Sequence, residues 1–164
     1  MTAQTSTALA SCVDRSSQVR TGIAAGIRLF LGALFVYTGL LKLYDPPGFL
    51  DDLYQYELLG ERAGFAVAFL VPVIELAFGA LLLAGIARRV ALSGAAVLLL
   101  VFVMAQGSAM SRGLVIDCAC FGDAAPGGAL VGPWSIARTT ALALLAGVAL
   151  LLDGAPKVGG EKLQ

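Results

Sequence analysis

The sequence predicts an all-α membrane protein, a four-transmembrane-helix bundle with a short interfacial helix in the first outer connection. Composition is the first observation behind this prediction. Of the 164 residues, 59% are apolar and only 13% are charged, whereas a soluble domain carries about a quarter charged residues. Mean hydropathy is +0.87, so the lipid bilayer is the expected surrounding. The net charge of zero and the lack of a basic run argue against nucleic acid as a partner.

Four apolar runs are the second observation, because a bilayer core requires about 20 apolar residues per helix. Arg88 and Arg89 separate the second run from the third by a very tight turn, so these two helices are predicted to be antiparallel neighbours. The membrane domain is assigned to residues 21–152, with spans at 23–43, 65–86, 90–110 and 134–152.

The residues outside this domain are predicted to form polar cytoplasmic tails. Residues 1–20 are expected to be flexible, and residues 153–164 form the second tail. Cys12 belongs to an LASC motif, but neither the positively charged nor the apolar stretch of a signal peptide precedes it. We therefore interpret Cys12 as incidental.

Lysine and arginine residues near the span ends predict the orientation. With both termini in the cytoplasm, six basic residues lie on the cytoplasmic side and four on the other side. The chain is therefore expected to be a multi-pass membrane protein with both termini in the cytoplasm and its two longer connections outside. The cytoplasmic set is Arg15, Arg20, Arg88, Arg89, Lys157 and Lys162, and the outer set is Lys42, Arg62, Arg112 and Arg138.

The first outer connection has the pattern of a short amphipathic helix. Asp45 is suited to be its N-cap, and Pro46 occupies its first position. Apolar residues then recur at helical spacing opposite acidic ones, so this helix is predicted to lie on the membrane surface. It would either shield a site beneath it or simply anchor the chain. The apolar residues are Phe49, Leu50, Leu53, Tyr54 and Leu58.

The second outer connection contains RGLVIDCACFGD, which holds Cys118 and Cys120. The chain has no histidine and three cysteines, so redox or soft-metal chemistry would depend on this pair. A disulfide across one residue closes a small, strained ring that is easily reduced and exchanged. It would brace little, since cross-links stabilise most across long loops. Two reduced, inert thiols or a Cu(I) or zinc site would also fit the pattern.

Charges near the two cysteines act on the thiols in opposite directions. Arg112 would stabilise a thiolate, whereas Asp117 and Asp123 would oppose it. Either cysteine could therefore be the attacking nucleophile.

Glu75 lies about halfway along the second span, three residues after Pro72. A carboxylate at this depth is costly unless it is paired or protonated. Lys42 and Arg138 are its candidate partners, and Arg28 approaches from the cytoplasmic side. Two interpretations follow: a buried ion pair that fixes the register of the helices, or a proton or quinone-headgroup site beneath the thiol loop.

These features together resemble the MauE/DoxX family of membrane proteins, and more closely its methylamine-utilisation MauE branch. The resemblance is carried by RLFLGALFVYTGLLKLYDPPGF, LVPVIELAFGALLL, DCACFGD and a tryptophan-led last span with Arg138. The MauE branch has a Cys-Gly-Cys-Phe-Gly motif between its third and fourth spans. Ala119 replaces the motif's glycine and reduces backbone freedom. The residues that fit the motif are Cys118, Cys120, Phe121 and Gly122.

The resemblance implies a redox-associated protein of a bacterial inner membrane. MauE is associated with maturation of the methylamine dehydrogenase small subunit, which is disulfide-rich and folds outside the cytoplasm. DoxX relatives are associated with quinone-linked sulfur oxidation. We therefore expect a thiol–disulfide oxidoreductase that uses Cys118 and Cys120 to exchange electrons with an extracytoplasmic thioredoxin-like protein or a disulfide-containing client. A quinone near Glu75 would be the second molecule with which the protein exchanges electrons. The alternatives are a non-catalytic membrane subunit that anchors or assembles a redox complex, and a soft-metal-binding protein.

Overall fold

The helices follow the order that the sequence predicts. The computed structural model describes the backbone of residues 2–114, 116 and 131–154, and within these ranges the side chains from residue 18 to residue 153. The helices in this part of the chain are α1 (Thr2–Tyr44), α2 (Pro46–Gln55), α3 (Glu61–Ala84), α4 (Arg88–Ser111) and α5 (Pro133–Gly154). Four segments are long and apolar enough to cross a membrane, which confirms the predicted fold class. They are Gln18–Tyr44, Glu61–Ala84, Arg88–Ser111 and Pro133–Asp153.

The first helix begins closer to the N-terminus than the sequence analysis placed it. Its 43 residues start at Thr2, so the backbone is helical over nearly all of the stretch that we assigned to a polar tail. The part that is apolar enough to cross a membrane starts only at Gln18. At 1.5 Å per residue α1 is about 65 Å long, about twice the roughly 30 Å of a bilayer core. Part of α1 therefore continues beyond the membrane-spanning bundle.

The four long helices form a ring. The most extensive contacts are those of α1 with α3 and of α4 with α5, and contacts between α1 and α5 and between α3 and α4 close the ring. The short helix α2 packs against α3 and α1. We call the end of the bundle at which α2 lies the α2 end. The opposite end, where residues 85–87 join α3 to α4, is the turn end.

The turn between α3 and α4 depends on a glycine. Gly85 ends α3 with a φ of 71°, and its N–H bonds to the carbonyl of Leu81. This left-handed conformation costs glycine little and strains other residues. The tight antiparallel connection that the sequence predicts is therefore present.

A close approach between α1 and α3 fixes one side of the ring. A Cβ atom on Gly79 would lie 2.8 Å from Cγ2 of Val36 and 2.9 Å from its backbone nitrogen. Only glycine fits at such a distance. Small residues that let two backbones come close are a main source of helix association in lipid.

The interior of the bundle is apolar towards the turn end and polar towards the α2 end. Large side chains such as Phe65, Met104 and Leu151 are instead exposed on the outside, as expected for surfaces that face lipid. The buried apolar cluster is Leu31, Phe35, Leu82, Ala91, Leu92, Ala95, Leu99, Leu142, Ala146 and Ala149. The buried polar residues are Thr38, Lys42, Glu75, Gln106, Ser135 and Thr139.

The short helix α2 has the N-terminal cap that the sequence predicts. Asp45 Oδ1 accepts a hydrogen bond from the backbone nitrogen of Gly48 at 3.1 Å, and Pro46 begins the helix. Phe49 is buried, whereas Asp51 is exposed. One face of α2 therefore covers the bundle and the other faces outwards.

Candidate functional site

Lys42 and Glu75 form an ion pair inside the polar half of the bundle. Lys42 Nζ lies 2.8 Å from Glu75 Oε1 and 2.8 Å from Oε2. The two residues are only 5% and 2% exposed. The ammonium donates to both carboxylate oxygens, and each charge thus neutralises the other where water cannot solvate them.

The antiparallel arrangement of α1 and α3 brings these two side chains together. Gly39 faces Pro72 across the helix interface. The backbone of Lys42 therefore lies about one helical turn from this contact towards the α2 end. The backbone of Glu75 lies about one turn from it towards the turn end. Helical side chains lean towards the N-terminus of their helix, so the two lean towards each other. A lysine near the end of a membrane helix usually extends out to the interface, whereas Lys42 extends inwards to Glu75.

Two aromatic rings flank the ammonium of Lys42. Its Nζ lies 5.4 Å from the ring centre of Phe49 on α2 and 5.5 Å from that of Phe102 on α4. At these distances the faces of aromatic rings attract a cation. The interfacial helix thus shields the ion pair through Phe49, which is one of the two roles that the sequence suggested for it.

A small cavity lies beside Glu75. Its volume is about 20 Å³, which is about enough for one water molecule. Thr38 and Thr139 line it together with Glu75, and the other lining residues are apolar. The Thr38 hydroxyl lies 3.3 Å from the carbonyl of Phe35, and the Thr139 hydroxyl lies 3.0 Å from that of Ser135. Because each hydroxyl donates its proton to a carbonyl, its oxygen still has acceptor capacity.

A network of neutral polar side chains leads from this cavity to the α2 end. Gln106 Nε2 donates to Thr139 Oγ1 at 3.3 Å, and Gln106 Oε1 accepts from Ser135 Oγ at 3.4 Å. Ser135 Oγ also accepts a hydrogen bond from the backbone nitrogen of Gly132 at 3.2 Å. All three side chains are buried. We call Gln106, Ser135 and Thr139 the polar column.

The base of the cysteine-bearing segment is held at the α2 end. Val131 N donates to Ile116 O at 2.7 Å, so the residues that flank 117–130 lie side by side. Ile116 is buried in a cluster with Tyr56 and Ala109, and Val131 packs against this cluster. Ile116 and Val131, which border the segment with the CxC motif, are therefore held together at the α2 end.

Arg112 joins α4 to the segment that follows α2. Its guanidinium donates to the carbonyl of Tyr56 and, at 3.3 Å, to that of Ser108. Its Nη1 lies 3.8 Å from Glu57 Oε2. These contacts hold the backbone at the α2 end, and stabilisation of a thiolate by Arg112 stays a prediction, because both thiols lie outside the described residues.

Four predicted site residues, Cys118, Cys120, Phe121 and Gly122, lie outside the residues that the structure describes. The pairing of the two thiols therefore stays a prediction. Within the described residues, no group of three or more His, Cys, Asp or Glu side chains is placed to hold a metal ion.

The cation that meets Glu75 is Lys42, the first of its two predicted partners. Arg138 lies next to Thr139 on α5, with its Nε atom buried. Arg28 is further towards the turn end, where its guanidinium lies against Gly85. The structure thus joins Lys42 and Glu75 as predicted and places Arg28 about four turns of α1 from Lys42.

Sequence reasoning missed the polar column and Thr38. One signal was available, since Ser135 and Thr139 are four residues apart and so share a face of α5. Gln106 stands in the apolar run of α4. Neutral polar side chains in spans often form hydrogen bonds between helices, and their partners emerge only when the helices are placed.

The four apolar spans, with a charged pair buried between them, define a multi-pass integral membrane protein. The family model for "Methylamine utilisation protein MauE" matches residues 20–152, which is most of the sequence. The chain therefore belongs to the MauE family, as its motifs suggested.

One relative from Paracoccus denitrificans, "Methylamine utilization protein MauE", is similar to part of the chain. The two are 36% identical over 96 residues, which is 58% of this chain and 52% of the relative. The chain thus spans about half the length of the curated relative that it matches. No solved structure matches the chain.

Proposed function

We propose that this MauE-family protein is a thiol–disulfide relay that acts through Cys118 and Cys120 at the α2 end. Its role would be to help an exported, disulfide-containing protein to mature, as part of methylamine utilisation. The family membership supports the pathway, and the CxC motif supports the chemistry. The observation that carries the proposal is the hydrogen bond between Val131 and Ile116. It holds together, at the α2 end, the two described residues that border the cysteine-bearing segment.

The distribution of charge supports an orientation with the α2 end outside the cytoplasm. Lys42 and Arg138, which the sequence assigned to the outer side, have buried nitrogen atoms within the bundle. They are therefore not loop charges of the kind that set topology. Among the side chains that the structure describes, the exposed basic ones are Arg20, Arg88 and Arg89 at the turn end, and Arg62 and Arg112 at the α2 end. The α2 end also exposes Asp45, Asp51, Glu57 and Glu61.

In the proposed exchange, two client thiols are oxidised and the relay disulfide is reduced. A client thiolate attacks one sulfur of the Cys118–Cys120 disulfide, and the other cysteine leaves as a thiolate that takes up a proton. The second client thiol, after losing its proton, attacks the mixed disulfide. The client thereby gains a disulfide and the relay becomes a dithiol. A thioredoxin-like disulfide protein would reoxidise the dithiol by the same steps in reverse.

The cavity at Glu75 is small compared with a quinone ring. The cavity of about 20 Å³ admits about one water molecule, whereas a quinone ring has six carbons and two oxygens. The cavity therefore does not itself support a bound quinone, and the quinone near Glu75 that the family resemblance suggested stays a prediction. We therefore derive no step through a quinone.

Cysteine trapping tests the relay. Cys118→Ser and Cys120→Ser are expected to differ, because only the variant that keeps the nucleophilic cysteine can attack the disulfide of the thioredoxin-like partner, and it then lacks the second cysteine that would resolve the mixed disulfide. Cys12→Ser is the matched control, since Cys12 is the third cysteine of the chain, and it should behave as wild type. The species would be detected in cells by non-reducing electrophoresis and mass spectrometry.

Two results would replace the relay with another function. If the Cys118/Cys120 double serine variant keeps full function and still co-purifies with its partners, the protein is a non-catalytic membrane subunit. Stoichiometric copper or zinc in the purified wild type, lost in the double variant, would indicate the soft-metal site instead.

A further inference from the structure

We propose that Arg28 and Arg88 bind the phosphate of an anionic phospholipid at the turn end of the bundle. The headgroup lies on the two guanidinium groups, and the acyl chains run along the apolar outer surface of the helices. This site is remote from the thiol chemistry, because Ile116 and Val131, which border the cysteine-bearing segment, are held together at the α2 end.

Arg28 carries a guanidinium group that has no acceptor among the described residues. Its Nη1 atom is buried without a hydrogen-bond partner, and no described carboxylate forms an ion pair with it. A guanidinium has five N–H donors and always keeps its charge, so leaving it unpaired within a protein is costly. The side chain as a whole is partly exposed. An acceptor can therefore reach it from outside the bundle.

A second guanidinium group meets the same point of the fold. Nη1 of Arg28 lies where a Cβ atom on Gly85 would stand, and Arg88 Nε donates to the carbonyl of Gly85 at 3.2 Å. This bond occupies Nε alone, so the two Nη groups of Arg88 remain available to a ligand. Two positive charges thus converge on one residue of the turn, where they repel each other. An anion bound by both removes this repulsion.

A phosphate group has the chemistry that two neighbouring arginines require. Guanidinium groups bind phosphate oxygens through pairs of parallel N–H bonds, and one phosphate has enough oxygens for two such groups. Helix α4 also begins at Arg88, and the positive end of its dipole favours an anion near this terminus. The dipole adds to a site that the two side chains define.

The surroundings of the two arginines favour a lipid over a soluble phosphate. Gly85 ends the apolar helix α3, so Arg28 and Arg88 lie where the bundle leaves the hydrocarbon. Ile86 and Val90, which lie on either side of Arg88 in the sequence, are 62% and 64% exposed. Exposed apolar side chains of this kind can contact acyl chains, and basic pockets between membrane helices bind anionic headgroups.

Native mass spectrometry of the purified chain, titrated with dioleoyl phosphatidylglycerol in a neutral detergent, tests the site. Arg28→Gln and Arg88→Gln are each expected to weaken binding of the first lipid by about fivefold or more, the contribution of one basic residue to binding an anionic membrane. Arg62→Gln is the matched control, because it removes an exposed arginine at the α2 end. It should bind the lipid as wild type does.

Two further ligands separate the possible sources of the phosphate. Dioleoyl phosphatidylcholine has the same acyl chains and a phosphate but no net charge, and it is expected to bind several-fold more weakly. Glycerol phosphate has the anionic headgroup without acyl chains and should not displace phosphatidylglycerol at an equal concentration. Equal binding of the two lipids would overturn the proposal, as would displacement of the lipid by glycerol phosphate.

Arg88→Gln keeps the test decisive if Arg28→Gln does not fold, since Arg88 is exposed and its replacement leaves the packed surface of the bundle unchanged. Wild-type affinity in Arg88→Gln, or equal weakening in Arg62→Gln, would overturn the proposal. The Cys118/Cys120 double serine variant should bind the lipid as wild type does. Failure of the relay in the trapping assay therefore leaves this result untouched, and the two proposals can fail separately.

Discussion

The interface between α1 and α3 and the surface helix α2 are neighbours in the chain but are stabilised in different ways. In the interior, Gly79 contacts the backbone of Val36, and Lys42 donates two short hydrogen bonds to Glu75. On the surface, α2 is held by the Asp45 cap and by the partly exposed guanidinium of Arg112.

The difference shows that access to water determines how much a polar contact contributes to stability. Water can replace the partner of an exposed group, so losing the contact costs little. Inside the bundle no such replacement exists, so a charge left alone is very costly. The buried pair Lys42–Glu75 and the exposed pair Arg112–Glu57 should therefore differ several-fold in their contribution to stability.

The largest effect is expected for Lys42→Met. It leaves the carboxylate of Glu75 buried without its counter-ion, which should lower the free energy of unfolding by about 3–5 kcal/mol. The double variant Lys42→Met/Glu75→Leu removes both charges and should recover most of that loss. Unfolding in mixed detergent micelles measures both. A double variant as unstable as the single one would mean that packing, and not charge, explains the loss.

A smaller effect is expected for Gly79→Ala, which tests the other element of the α1–α3 interface. The added methyl group would force the two backbones apart, and overpacking of this kind costs about 1–3 kcal/mol. Gly107→Ala is the matched control, since a Cβ atom there meets nothing within 4 Å. If both variants unfold at the same detergent composition, the close contact does not limit stability.

Asp45→Ala is expected to act on α2 alone. Loss of an N-cap costs about 1 kcal/mol, so the amide protons of α2 should exchange with water several-fold faster, while those of α3 keep their protection. Hydrogen exchange with mass spectrometry resolves the two helices. Asp51→Ala, at an exposed position within α2, serves as the control. Unchanged exchange in α2 would show that Phe49 and the packing below it hold this helix without the cap.

Glu57→Gln should have the smallest effect. Its carboxylate is 69% exposed and lies 3.8 Å from Arg112, and exposed pairs of this kind contribute about 0–1 kcal/mol. The difference from wild type should disappear at high salt, where such charges are screened. A loss as large as that of Lys42→Met would contradict the contrast drawn between the two ion pairs.

Much of the fold could be predicted because membrane helices follow simple local rules. Runs of about 20 apolar residues fix the spans, and Asp45 followed by Pro46 marks the start of α2. The pairing of Lys42 with Glu75 was also accessible, since a charge in mid-membrane requires a partner. Each of these inferences uses one residue type whose placement is tightly limited by solvation.

The remaining features depend on how the helices are placed. Gln106 meets Ser135 and Thr139 only because α4 packs against α5, and neutral side chains carry no signal of comparable strength. Arg112 was interpreted from nearby residues in the sequence, whereas its described partners include Tyr56, which is 56 positions away. The helical start of α1 was missed because its first residues are polar, and polar composition favours neither a helix nor a coil.

The inward direction of Lys42 has a consequence for biosynthesis. The ribosome delivers α1 before α3, so the ammonium is already in the bilayer when the carboxylate of Glu75 emerges. The first helix must then remain beside the insertion machinery until α3 arrives. The carboxylate of Glu75, released into hydrocarbon without its partner, would be strongly disfavoured. Insertion of this protein is therefore expected to proceed by pairs of helices and not one helix at a time.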